Sequence, residues 1–227
     1  LLFASLLFAG CSIPDFFASS DGSPSGPQSV SEPQSEPQSQ PQPVQPSAEA
    51  GLTLPAEGIS ALTGQEGNFH RRPIAVMLYN ASNAFPQWGI ASADIFIEAL
   101  TEGTSTRAMT ITSDYERVEK LGPVGPARDI FLQFGMPFAA VPMFVNSDIY
   151  ASNLLNLHGY QPLDGMYVGT ISFDLDYERD KTYPQELCWY TNAGLIANGL
   201  ESYGQSTDAD TPTFFNFQPD STPKNSA

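Results

Sequence analysis

The chain has 227 residues, with 25 acidic and nine basic side chains and a formal net charge of −16. That balance leaves no basic face for a phosphate backbone, which excludes nucleic acid as a partner. Two cysteines, Cys11 and Cys188, are too few for a disulfide scaffold.

In chain order, Leu1 to Gly10 (LLFASLLFAG) is an apolar run ending at Cys11. It falls well short of the roughly 20 residues that span a bilayer. It reads as the hydrophobic region of a secretory signal that lacks its initiator methionine and basic leader. Ala9-Gly10-Cys11 resembles the lipobox of bacterial lipoproteins, with Phe8 where leucine is more usual. In that pattern the chain is cut before the cysteine, and its sulfur carries the lipid. The expectation is an extracytoplasmic protein anchored to the bacterial cell membrane through lipidated Cys11. An ordinary signal peptide with an incidental cysteine is the alternative. If Cys11 is lipidated, Cys188 beside Trp189 and Tyr190 has no partner and reads as a buried apolar side chain.

Residues 11–50 continue in Ser, Pro, Gln and Glu, with the near-repeat SEPQSEPQSQPQPVQP. Such a segment buries too little surface to offset chain entropy and reads as a disordered tether. It holds five acids and no base, leaving 20 acids against all nine bases in the remainder.

Residues 51–203 have the size of one domain. Pro73 to Asn80 (PIAVMLYN) reads as a strand buried on both faces. Asp94 to Leu100 and Thr104 to Thr112 read as a hairpin whose strands join at Glu102, Gly103 and Thr104. After GPVGPAR (Gly122 to Arg128), Pro126 opens a helix with Ile130, Phe131 and Phe134 on its apolar face. Ala140 to Asn146 is a second buried strand, which Pro142 demotes to an edge or bulge in its first half. Ser147 caps a helix with the stripe Ile149, Leu154 and Leu157. Tyr167 to Leu175 reads as a strand, and Thr191 or Asn192 caps a last helix carrying Leu195, Ile196 and Leu200. The sum is an α/β domain with a mixed β-sheet and flanking helices. Residues 204–227 read as a polar tail.

The chemistry concentrates in the hairpin. Asp94, Glu98 and Glu102 recur every four residues, which places them on one face in either a helix or a strand. With a two-residue turn Leu100 faces Arg107, which then lies diagonally between Glu98 and Glu102, within reach of a long side chain. Such a cluster binds a polar ligand or does acid-base work, or is a salt-bridge network bracing the hairpin. A glycan-cleaving pair needs carboxylates about 5 to 9 Å apart, whereas strand positions 94 and 98 are about 13 Å apart. Arg128 near a helix start can hold a carboxylate or a phosphate, with Arg179 and Asp180 as candidates to join it. His70 and His158 lack a third ligand for zinc, no nucleophile elbow or phosphate loop is present, and neither a metal nor a cofactor is expected.

The blocks PIAVMLYN, PQWGIASADIFIEALTEGTSTRAMTI, GPVGPAR and ERDKTYP resemble the YerB-like bacterial lipoproteins, whose N-terminal domain is a domain of unknown function. The likeness runs from about Ala61 to Tyr203. It marks Asn80, Gln87, Asp94, Glu98, Glu102, Arg107, Arg128, Arg179 and Asp180 as ligand-binding candidates. Gly125 stands in place of an arginine, and Gln185 and Glu186 in place of a histidine and an asparagine. A second domain after residue 203 is also implied. The sequence thus points to a lipoprotein that binds a cell-wall polymer, a polar small ligand or an envelope protein. An envelope hydrolase using Glu98, Glu102 and Arg107, or a structural scaffold, are the alternatives.

Overall fold

The computed structural model describes residues 54, 56–66 and 70–217; the leader, Cys11 and the expected tether lie outside them. The apolar run at its centre is β1 (Ile74–Tyr79), whose first five residues are buried because both faces of the sheet are covered. β2 (Ile95–Leu100) and β3 (Thr106–Thr112) form the expected hairpin, and β3 pairs antiparallel with β1. β4 (Val141–Phe144) and the two-residue β5 (Leu163–Asp164) add in parallel on the other side, giving the order β2-β3-β1-β4-β5.

Alternation along the strands sends side chains to two cores. Ile74, Val76, Leu78, Ala108 and Met143 meet α4 (Ala193–Ser202) on one face through Ile196 and Leu200. Ala75, Met77, Met109 and Ile111 meet α1 (Asp129–Gly135) and α2 (Ile149–His158) on the other. The mixed sheet with flanking helices is therefore the observed architecture.

Several local expectations change. Pro142 sits in an interior strand, not at an edge. Val141 donates its N–H to Pro73 of the β1 flank, so Pro142 faces β5, and β5 pairs only with Met143 and Phe144. The missing donor therefore has nothing to pair with. α1 buries Phe131, Leu132 and Gly135, while Ile130 and Phe134 are exposed. α2 buries Ala151 and Leu155 and exposes Ile149 and Leu157; its cap is Asp148, which accepts from the Ala151 N–H, not Ser147. The stretch expected as a strand from Tyr167 begins in a helical turn, α3 (Gly165–Val168), because the Asp164 carboxylate accepts the Met166 N–H. Only β6 (Asp174–Leu175) remains of it, paired with β7 (Trp189–Tyr190).

Asn192 caps α4, accepting from the Leu195 N–H. Cys188 is fully buried. The folded unit also runs past Tyr203: Arg72 donates to the Thr207 carbonyl, Thr211 is buried, and Phe214 and Phe215 pack on Phe138. Among the described residues no helix is long and apolar enough to cross a membrane.

α4 approaches β5 closely because residue 199 is glycine. A Cβ there would stand 1.9 Å from Ser172 Oγ and 2.9 Å from Leu163 Cδ1, both buried. Gly199→Ala, despite the helix preference for alanine, is expected to destabilise the domain by about 1–3 kcal/mol in urea unfolding. A stabilised variant would show that α4 does not pack as described.

Candidate functional site

β1, β2, β4 and β5 all point the same way, so their carboxyl ends gather at one edge of the sheet, where α/β folds commonly hold ligands. The β2–β3 turn, the loop after β1, Arg128 and Asp148 all lie at that edge. The chemistry found there depends on the hairpin register.

Thr101 donates its N–H to the Ser105 carbonyl, leaving Glu102, Gly103 and Thr104 as a three-residue turn. Gly103 takes a φ of 62° with open space around it, a left-handed conformation that suits glycine. Arg107 is consequently opposite Ala99, and not Leu100 as expected. A slip of one residue moves a side chain to the other face, so Arg107 and Glu98 lie on opposite sides of the sheet. The single cluster expected from the spacing is two.

On the α4 face, Asn80 Nδ2 donates to Glu98 Oε1 at 2.7 Å and to Thr106 Oγ1 at 2.9 Å. Gln87 Nε2 donates to Asn80 Oδ1 at 2.9 Å and to the Tyr79 carbonyl at 2.6 Å. This chain fastens the loop after β1 to the hairpin. These four hydrogen bonds tie the loop to both strands of the hairpin, which makes the group a brace.

On the α1–α2 face, Glu102 leaves the line of Asp94 and Glu98 because it sits in the turn. Its Oε1 accepts from Arg128 Nε, and its Oε2 lies 3.6 Å from Arg107 Nε. Arg128 Nε is also 3.3 Å from Asp148 Oδ2, and Arg128 Nη1 donates to the Ala127 carbonyl. Each arginine side chain is only 16% exposed, while Glu102 is 57% exposed. The hydrogen bond from Arg128 holds the Glu102 carboxyl at about 2, well below the ordinary carboxylate range.

Arg107 is the unsatisfied member. Its guanidinium lies over the Tyr79 ring, 5.0 Å from the centroid. Its Nε and Nη1 are buried without a hydrogen-bond partner, since 3.6 Å to Glu102 is too long for one. Beside it opens a cleft of about 200 Å³ lined by Tyr79, Asn83, Glu102, Ser105, Arg107 and Glu186.

The remaining candidates lie elsewhere. Asp94 Oδ2 accepts from the Ser113 N–H and hydroxyl at 2.7 and 2.6 Å, on the rim of a larger cleft of about 520 Å³. The arginines of that cleft are matched, Arg71 to Glu116 and Arg117 to Asp114, so its size brings no unpaired chemistry. Arg179 does not join Arg128. It is 7% exposed and donates to the Pro86 and Ala84 carbonyls at 2.8 and 2.6 Å, between the Trp88 and Tyr183 rings, as a clamp on that loop. Asp180 faces solvent. Among the described residues no group of three or more His, Cys, Asp or Glu is placed to hold a metal ion.

Sequence reasoning overlooked Asp148 and Ser113. Asp148 carried a usable signal, an Asp immediately before an apolar helix; the Ser113 hydroxyl carried none.

The family described as "Protein of unknown function (DUF3048) N-terminal domain" matches residues 62–206. The chain belongs to this family. It is similar to "Putative lipoprotein YerB" of Bacillus subtilis (strain 168), 29% identical over 164 residues, which is 67% of this chain and 45% of that protein. The crystal structure of the YerB protein from Bacillus subtilis superposes with a TM-score of 0.60 at 29% identity, over 67% of this chain and 52% of the other. The chain thus spans about half the length of this relative. A Cβ at Gly125 would stand 3.1 Å from both the Tyr79 ring and the Tyr79 backbone nitrogen. Glu186 lines the cleft itself.

A carboxyl held at about 2 in the fold, and near 4.5 when unfolded, contributes stability that is fully present above pH 4.5 and lost as pH falls toward 2. The half-exposed position keeps that contribution below about 1 kcal/mol. The melting-temperature difference between the chain and Glu102→Gln should therefore be largest near pH 6 and shrink steadily as the pH falls from 4.5 through 2. A difference that grows on acidification would contradict the Arg128–Glu102 pairing.

Proposed function

We propose that this DUF3048 member is an extracytoplasmic, lipid-anchored protein that binds a polar ligand of the cell envelope in the cleft beside Arg107. The observation that carries the reading is the arginine itself. A guanidinium pulled into the sheet edge, stacked on Tyr79 and left with two unsatisfied N–H groups beside an open cleft, is poorly explained as a brace. The same guanidinium is well suited to polar recognition. A cleft of about 200 Å³ accommodates a small polar group or the end of a larger molecule.

The anchor is supported by the lipobox resemblance at Cys11 and by the name of the B. subtilis relative. An envelope hydrolase using Glu98, Glu102 and Arg107 has no geometric support, because Glu98 and Arg107 lie on opposite faces of the sheet. A purely structural role suits the Asn80–Glu98 brace and the Arg179 clamp, but leaves Arg107 unexplained.

The test is titration of the chain with soluble peptidoglycan fragments, read from the arginine Nε–H resonances. Arg107→Met should weaken binding about tenfold or more, the worth of a charge-assisted hydrogen bond, with the fold intact by circular dichroism. Equal binding by the folded variant would remove Arg107 from the site.

A further inference from the structure

Arg107 and Arg128 are drawn into the same sheet edge, and a single carboxylate, Glu102, reaches toward both. One oxygen is taken by Arg128; the other stops 3.6 Å from Arg107, whose Nε and Nη1 stay without an acceptor. A buried charged donor lacking an acceptor is costly, so the pair of arginines has capacity for acceptor oxygens that Glu102 does not fill.

The two carboxylates near Arg128 differ in how they are held. Asp148 is fixed as the cap of α2 through Ala151. Glu102 sits on a three-residue turn closed by the Thr101–Ser105 and Glu102–Ser105 backbone hydrogen bonds and by the Thr101 hydroxyl donating to the Ser105 carbonyl, with open space around Gly103. It is more than half exposed, over arginines that are mostly buried.

We infer that Glu102 is a built-in occupant of a carboxylate site formed by Arg107 and Arg128, and that a ligand carboxylate takes its place when the hairpin tip swings aside. The displaced Glu102 becomes solvated, and Arg107 gains the acceptor it lacks. Asp148, Glu102 and Glu186 are the acids facing the site. Their repulsion favours a carboxylate group, which carries one charge, over a phosphate group, which carries nearly two. This inference rests on the reading of the cleft as a binding site and names its ligand class. The carboxylate belongs either to a free small acid or to a wall-polymer fragment.

The experiment compares the chain with E102Q and Arg107→Lys, each checked for a cooperative melt, in titrations with glutarate and with muramyl dipeptide. Binding is followed at the arginine Nε–H resonances. The expected result is about fivefold tighter binding by E102Q than by the unmodified chain, because the internal competitor has lost its charge, with Arg107→Lys weaker than both. Tightening with glutarate assigns the site to free acids; tightening confined to muramyl dipeptide assigns it to wall fragments. E102Q binding equal to or weaker than the unmodified chain, with Arg107→Lys still impaired, overturns the displacement and leaves the cleft as a binding site. No saturable response of any of the three proteins to either probe overturns both.

Discussion

The backbone hydrogen bond from Thr101 to the Ser105 carbonyl decides the character of this site. By closing a three-residue turn it sets Ala99 opposite Arg107, and with that the face of the sheet on which every side chain of the hairpin falls. Glu98 is delivered to the α4 face, where its carboxylate accepts from Asn80, which also donates to Thr106. Arg107 is delivered to Tyr79 on the other face, beside Arg128 and under Glu102. A two-residue turn would have placed Glu98 and Arg107 on the same face.

The cations of this chain are few, and several are spent inside it. Arg179 clamps the loop before Trp88, Lys120 stacks on Trp88 and pairs with Asp176, and Arg107 and Arg128 serve the sheet edge. The surface that remains is dominated by acids. Anionic polymers are repelled at long range by such a surface, so an anionic group that reaches Arg107 does so through short-range fit to the cleft. That balance favours a small or terminal group over an extended polyanion.

Much of the sheet was legible because β1 and β4 are apolar on both faces and the hairpin alternates. The helix faces were less so. In α1 nearly every position from Ile130 to Phe134 is apolar, so periodicity does not distinguish the buried Phe131 and Leu132 from the exposed Ile130 and Phe134. In α2 the core contact is made through Ala151, a residue too small to stand out. The stretch after Asp164 misled because a local side-chain cap outweighs the strand preference of Tyr167 and Val168. At the site, the identities of Glu102, Arg107 and Arg128 were visible, but their grouping turns on a one-residue difference in turn length. Spacing alone does not fix that.

The register of the hairpin is read out by coupling energies between its side chains. Paired double-mutant cycles measured by chemical unfolding at pH 7 would compare Glu102→Gln with Arg128→Met, and Glu98→Gln with Arg107→Met. The expected coupling is about 0.5–1 kcal/mol for the first pair and none beyond about 0.3 kcal/mol for the second, whose members are separated by the sheet. A clear coupling between Glu98 and Arg107, with none between Glu102 and Arg128, would contradict this register.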